Sequence, residues 1–560
     1  MTKKTLDNRY KPPFGKFGLE TREIATRTST SKVVYFSYRK QNFGVSSNVR
    51  GEFSEADNFG IVDKALDKRK AIAGTIEEAI DSINIGKSLR SVSANFSITL
   101  FPTQNWRRIL RAGDWIIIYL YADGETKKFK NEKQDTKNIV LIGNIDRVAR
   151  VKEKDEETDK TLLRYRINGR NFGKVFETTD LWFDPYTTQT KSLDVVTRTA
   201  GLPITGSPEV LVQKLMDIFL GPGGRTKLGN TKPLEQWVIP KDLARLFSSS
   251  QAKKRASVYD IISNQGIQTG LPGYKARQMI APGQGGNLWE AMKRGSNQLI
   301  NELYCEEIRD SSGFVKPTIV LKPRPYNTLY FNSQFGGDKH LKSYLKGAYK
   351  TLQDLAKENY VEINPAEVLY EDLGMDDHSR FNMFWLETRN TTNDSINTYA
   401  HVNKSGDGIG LPLIVRESIQ RYGLRKFDGV LDFCYANNTG KTYNADTNIY
   451  KAFLVQLYDF YYANHLYEQG TIETTGVLEA ELGKCLLLKS EDGGDPKIYY
   501  IEGYEHNFKY PATWTTKFTV TRGQFLSSWE KTFIDLDSDD WGQTDKSLEL
   551  NYLIKSEEER

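Results

Sequence analysis

Three dense apolar runs between Gly113 and Glu177, separated by charged loops, set the pattern for the whole chain. The first, Trp115–Tyr121, is apolar at every position, as expected of a strand covered on both faces, one by its own core and the other by a neighbour. The second is IVLIGNIDRVARV. In the third, Leu163, Tyr165 and Ile167 alternate with Arg164, Arg166 and Asn168, so one face is wet. The runs predict a β-meander. The loops Lys127–Lys137 and Lys152–Lys160 carry both charge signs and read as solvated hairpin tips or as contacts to a neighbouring subunit.

The same reading extends along the chain. Residues 1–30 are polar and basic, with Pro12, Pro13, Gly15 and Gly18, and read as an extended arm. Val33–Tyr38 is a strand. Glu52–Lys87 reads as a polar, partly helical excursion, after which Phe96, Ile98 and Leu100 alternate with polar residues in a half-buried strand. Ser207-Pro208 opens a helix with Leu211, Leu215, Ile218 and Phe219 on one stripe, stopped by Gly221-Pro222. A second helix is predicted from Leu288 to Leu303, with Asn287 as N-cap and Glu290 as its capping-box partner. LYCEEIRD and KPTIVLKPRPYN then form a hairpin. An aromatic helix is predicted over Asn448–Glu468. In the closing strands Trp514, Thr516, Phe518 and Val520 alternate with polar residues, and 532–560 is an acidic tail of nine acids and three basic residues.

Composition narrows the function classes. A chain of 560 residues exceeds a single core and implies several domains. Lys+Arg 77 against Asp+Glu 72 gives a net charge of only +5, which does not imply general electrostatic binding to nucleic acid. Aromatics at 12% favour β-structure and protein–protein surface. Cys305, Cys434 and Cys485 form no CxxC pair and read as free thiols in a reducing cytosol. With no apolar leader and no long apolar span, a soluble chain without a membrane segment is expected.

Catalytic patterns are missing. The five histidines (His340, His378, His401, His465 and His506) form no HExxH and no local metal spacing. Asp376-Asp377-His378 is the densest acid–imidazole cluster and reads as an exposed polar turn. Gly221–Lys227 fails the phosphate-loop spacing and follows a helix rather than a strand. No GxSxG elbow occurs. Arg164, Arg166 and Arg170 share a strand face, where pairing with the charged loops competes with phosphate contact. No catalytic, cofactor-binding or metal residues are assigned.

The motifs GDWIIIYL, IVLIGNIDRV and LRYRINGRNFGKVFE resemble, in this order, the first tube-like barrel of baseplate hub proteins of long-tailed, contractile-type bacteriophages. That family is related to the hub part of type VI secretion spike proteins. Asn171 stands where the family commonly has an acid. LWEAMKRGSNQLINELYCEEIRD with KPTIVLKPRPYN is similar to the opening of the second barrel, with Lys322 where Arg is frequent. SIQRYGLRKF and FDGVLDFCYAN resemble the middle domain. GTIETTGVLEAELGK, IYYIEGYEHNF and WTTKFTVTRGQ resemble the closing strands. The signature and interface candidates are Gly113, Asp114, Trp115, Gly143, Ile145, Asp146, Gly169 and Arg170 in the first block. In the second they are Gly503, His506, Trp514, Thr516, Arg522 and Gly523.

The resemblance implies a mainly β chain with α+β insertions: two tube-like antiparallel β-barrel domains and a mixed middle domain. The expected division is an arm 1–30; a first barrel 31–178 with excursion 52–87; a helical and loop domain 179–286; a second, split barrel 287–330 and 471–525 around an inserted α+β domain 331–470; and an acidic tail 526–560. It also implies a homotrimer in a virion tail baseplate, assembled in the host cytoplasm. The tail tube protein would lie above it, the central spike below and wedge proteins around it, with genomic DNA only as passing cargo. A tail-associated cell-wall hydrolase and a receptor- or glycan-binding tail protein are the alternatives.

Overall fold

The computed structural model describes residues 29–38, 71–121, 136–154, 161–180, 202–206, 208–220, 237–247, 256–262, 276–280, 286–296, 298–299, 301–309, 315–324, 360–388, 413–414, 416–431, 457, 461, 464–490, 493–511 and 513–525. The expectations for the N-terminal arm, for the Gly221–Lys227 loop, for Cys434 and for the acidic tail fall outside these residues. So do most of the two charged loops and most of the aromatic helix.

The protein is mainly β, built on one 13-stranded sheet. Its first block contains β1 (Thr30–Tyr38), β2 (Ala71–Ile76), β3 (Ile80–Ser88), β4 (Asn95–Leu100), β5 (Trp115–Tyr121), β6 (Ile139–Lys154) and β7 (Thr161–Asn171). A hairpin of β8 (Asn301–Arg309) and β9 (Val315–Pro323) pairs only with itself among the described residues. The second block contains β10 (Tyr360–Ile363), β11 (Val368–Gly374), β12 (Glu468–Thr475), β13 (Cys485–Leu488), β14 (Lys497–Lys509) and β15 (Thr513–Phe525). Hydrogen bonding runs β11–β12–β15–β14–β3–β4–β7–β6–β5–β1–β2, with β13 on β14 and β10 on β13.

Two halves of this path are the same unit. The first block has the order β3–β4–β7–β6–β5, and the second has β11–β12–β15–β14–β13, with all neighbours antiparallel. Two of their irregularities coincide, whereas the slips at Glu468/Gly470, Ile498/Tyr500 and Ile118/Tyr119 belong to one unit only. The register of β3 on β4 slips between Ile80 and Ser82, and that of β11 on β12 slips between Val368 and Tyr370. The register of β6 on β7 slips between Ile145 and Arg147, and that of β14 on β15 slips between Ile501 and Gly503. Bulges re-aim a strand at a fixed place, so their coincidence aligns the units residue by residue. The sequence showed only a shared rhythm, because the paired positions differ in side chain.

Each block has its own core. Ile83, Ile85, Phe96, Ile98, Ile118 and Ile167 lie in the first, and Ile472, Leu486, Ile501, Phe518 and Val520 in the second. A third core explains why β5 is buried at all seven positions. Ile116, Ile118 and Leu120 face the first block's core, whereas Trp115, Ile117, Tyr119 and Tyr121 face a cluster with α1 (Pro208–Phe219), α2 (Leu288–Ser296) and the hairpin. The expected neighbour on that face is therefore corrected: the same chain covers it.

Four further expectations change. The C-terminal part of the 52–87 excursion is strand, concealed because the slip after Ile80 breaks the two-residue period. Tyr360–Ile363 and Val368–Gly374, expected in the 331–470 insertion, join the main sheet. β11 is exposed on both faces and so shows no alternation. Helix α2 ends at Ser296, where the Asn301 side chain donates to the Ser296 carbonyl at 2.8 Å. Leu303 reaches the same core from β8, which mimicked helical spacing. Asn287 does cap α2, accepting the Glu290 amide at 2.9 Å. The chain is already strand at Glu468, preceded by a short 3₁₀ turn, Asn464–Leu466.

Candidate functional site

The first-block sequence signatures converge on one junction, where the bulged strand meets the turn before its neighbour, and the second unit has an equivalent junction. In the first, the Gly113 amide donates to the Ile145 carbonyl at 2.8 Å and the Ile145 amide to the Asp114 carbonyl at 2.9 Å. Gly113 has φ +90°, which favours glycine. The Asp114 carboxylate accepts the Arg111 amide at 2.8 Å and closes the turn. Asp146 accepts from Arg170 Nε at 2.8 Å and lies 2.7 Å from Lys174 Nζ, while Arg170 also donates to Glu177 at 2.6 Å. Partial burial opposes ionisation of Asp146, but these cations prevail and hold its carboxyl below the usual range. Arg170 is thus engaged by carboxylates rather than set out for phosphate, and Arg164 lies 3.3 Å from Asp81. Asn171, in place of the acid, accepts the Ala94 and Gly173 amides at 3.1 and 3.0 Å. Gly143 and Gly169 lie beneath the Phe96 ring, where a Cβ at Gly169 would come within 2.3 Å of it.

The second junction repeats the first. The Gly483 amide donates to the Ile501 carbonyl at 3.0 Å, the Ile501 amide returns to the Lys484 carbonyl at 3.0 Å, and Gly483 has φ +69°. Farther along the same strands, Thr516 Oγ1 accepts the Val477 amide at 2.9 Å and lies 3.0 Å from His506 Nδ1. The His506 ring packs between Tyr504 and Trp514. Burial, with the cations Lys87 and Arg309 nearby, pushes the imidazole down to about 3, so it is neutral and packed. Arg522 has φ +60° and lies over the Tyr467 ring. Gly523 sits against Tyr499, leaving no room for a Cβ.

Between the junctions β14 forks. Its first part, Lys497–Tyr500, pairs with β13, and its second, Gly503–Lys509, pairs with β3. The fork is filled by a buried ion cluster that motif reading missed. Lys87 Nζ lies 2.5 Å from Glu306 Oε1 and 2.6 Å from Glu307 Oε2. Glu307 also accepts the Ile142 amide of β6 at 3.0 Å. Glu306 accepts the Tyr504 hydroxyl at 3.1 Å and the Leu482 amide at 3.3 Å. Burial alone would lower the Lys87 ammonium, but the two carboxylates outweigh it and hold it well above its ordinary value. Hairpin β8–β9 is pinned in this way to both blocks at once. The available signal was the adjacent Glu306-Glu307 pair beside the apolar run Leu303–Cys305.

Burial, which outweighs the nearby Lys322 cation, pushes the Cys485 thiol up to about 12, and burial raises Cys305 as well. Asp377 pairs with Arg380 at 2.6 Å and Arg425 at 2.7 Å, and Asp376 caps the short turn that holds His378. Among the described residues no group of His, Cys, Asp and Glu could hold a metal ion, and no helix is long and apolar enough to cross a membrane. A cleft of about 270 Å³ at one end of the first block is lined by Ser31, Lys32, Glu77, Glu78, Tyr121 and Tyr510, among others.

No family model matches the chain, and no curated protein does. Solved structures to which it is similar include a tail protein from Neisseria meningitidis MC58, at 10% identity and TM-score 0.39, covering 80% of this chain and 93% of that one. Another is a prophage tail protein, gp18, from Listeria monocytogenes EGD-e, at 12% identity and TM-score 0.35, covering 90% and 99%. A third is the E. coli c3393 protein, a component of the type VI secretion system, at 8% identity and TM-score 0.31, covering 79% and 73%.

Proposed function

We propose that the protein is a structural component of a phage-type tail, a homotrimeric baseplate hub. It adapts the sixfold tail tube to the threefold central spike and forms part of the wall of the DNA-conducting channel. The observation that carries this reading is the in-register repetition of one five-strand unit within a single chain. Three chains then supply six like units, which meets a sixfold partner on one side while keeping threefold symmetry on the other. The order of the motifs GDW, GNID and GRN along the first unit supports the same family reading. The buried junctions fit a wall rather than a reaction site. In this reading the tail tube, the spike and the wedge proteins are the partners, and DNA passes without specific recognition.

Light scattering coupled to size exclusion tests the reading on the full chain, alone and with spike and tube proteins. A trimer that binds both is expected; a chain that remains monomeric with both partners present overturns it.

A further inference from the structure

The repeat within the chain places a strand contact between copies. In the internal joint, the second part of β14 pairs antiparallel with β3, with Gly503 opposite Ser88, Tyr504 opposite Lys87, His506 opposite Ile85 and Phe508 opposite Ile83. The aligned bulges identify the equivalents of both strands. Position 147 of β6 corresponds to 503 of β14, because each follows the slip opposite β7 or β15. Positions 82–86 of β3 correspond to 370–374 of β11, through their pairing with β4 and β12.

Both equivalents present open edges. β5 pairs with β6 only over Ile139–Asn144, so from Arg147 onward β6 has β7 on one side and no strand on the other among the described residues. β11 has β12 on one side and no strand on the other among the described residues. Leu369, Tyr370 and Met375 are 54%, 54% and 66% exposed there. An open edge with large apolar side chains on an extended strand is a template for another strand.

We infer that the Arg147–Glu153 edge of β6 in one copy pairs antiparallel with β11 of a second copy, in the register of the internal β14–β3 joint. Transferring that register sets Lys152 opposite Glu371, Arg147 opposite Asp376 and Val148 opposite Met375. The same register sets Ala149 opposite Gly374, Arg150 opposite Leu373 and Val151 opposite Asp372, so two of the six pairs are of opposite charge and one is an apolar contact. Had the register been off by one, Lys152 would face Asp372 or Tyr370, and every side chain would change face. One Asp376 carboxylate oxygen accepts the His378 amide at 2.8 Å. The contact is heterologous, one edge against a different edge, which is the kind that closes a ring. The inference rests on the proposed hub reading for the number of copies, but the strands and the register come from the repeat.

The test is an inter-copy disulfide in the full chain. Directly opposed strand positions have a Cβ separation of about 4.5–5.5 Å, close to disulfide geometry. Lys152→Cys combined with Glu371→Cys is expected to give covalent oligomers under mild oxidation, whereas either single variant and the off-register pair Lys152→Cys with Leu373→Cys are not. On the unmodified chain, backbone amides of 369–375 are expected to exchange at least ~10-fold more slowly in the assembled form than in a diluted monomer. A trimer whose 369–375 amides are unprotected and whose cysteine pair does not cross-link overturns the strand contact and leaves the hub reading intact. A chain that is monomeric throughout, with fast exchange at 369–375, overturns both.

Discussion

Lys87 Nζ and Glu306 Oε1 stand 2.5 Å apart with both side chains almost wholly removed from solvent, joining β3 of the first block to the β8–β9 hairpin. Breaking such a pair leaves a buried charge without a partner, which costs about 3–5 kcal/mol, whereas removing all the charges together costs far less. Lys87→Met is therefore expected to destabilise the protein by about 3–5 kcal/mol. The triple variant Lys87→Met, Glu306→Gln, Glu307→Gln is expected to stay within about 2 kcal/mol of the parent, since Gln still accepts the Ile142 and Leu482 amides. Denaturant midpoints at constant slope measure both. A triple variant weaker than the single one would show that the pair contributes more than its own neutralisation.

His506 gives the fold a predictable response to acid. Burial depresses its folded pKa to about 3, while the unfolded chain titrates near the ordinary 6.5. The folded state thus holds fewer protons in this window, so its contribution to stability is full above about pH 6.5. It is lost at about 1.4 kcal/mol per pH unit as the pH falls toward 3. Glu307 works with the opposite sign, because burial raises its folded pKa and favours the protonated form. Subtracting the stability profile of His506→Gln from that of the parent isolates the histidine. The difference is expected to be flat above pH 7 and to slope below it; a flat difference down to pH 4 would mean that the ring is hydrated.

How far these features can be read from residues alone depends on whether a position obeys one local rule. Trp115–Tyr121 was readable as buried on both faces because nothing polar interrupts it, but what covers the outer face was not, since α1 and β9 lie far away in sequence. β3 was hidden by its own bulge, and β11 by exposure of both faces. The motifs GDW, GNID and GRN pointed to the first junction because glycine and carboxylate are required there by φ and by hydrogen bonding. The second junction uses Gly483-Lys484 for the same turn, and without the carboxylate the equivalence was invisible. Lys87 carried no local mark, as its partners lie 219 and 220 residues away.

Gly169 is required by its surroundings rather than by its backbone angles. A Cβ there would stand 2.3 Å from the Asn144 carbonyl oxygen and from Phe96 Cζ, and a main-chain oxygen cannot move aside cheaply. Gly169→Ala is expected to cost about 1–3 kcal/mol, a fall of several degrees in Tm. Gly86, on β3 two strands away, has nothing within 4 Å of a built Cβ. Gly86→Ala is expected to be neutral or stabilising by up to about 1 kcal/mol. Paired thermal melts check the contrast; equal melting points for the two variants would contradict the close approach at Gly169.

Cys485 and Cys305 report on whether the wall opens. Both are buried, and the Cys485 thiol is pushed up to about 12, leaving only about one molecule in 10⁴ as thiolate at pH 8. Alkylating reagent at pH 8 is expected to leave both unmodified in the folded protein and to label both in concentrated guanidinium chloride, as read by peptide mass. Because Cys485 lies on β13, which closes the second block onto β14, its native labelling would require β13 to detach from Tyr500. Cys305 sits on the outer core between the hairpin and β5, so its labelling would require the hairpin to lift from the blocks. Lys87→Met removes the pin that holds this hairpin, and it is therefore expected to speed labelling of Cys305 more than that of Cys485. Equal acceleration at the two thiols would show instead that the hairpin and the second block open as one unit.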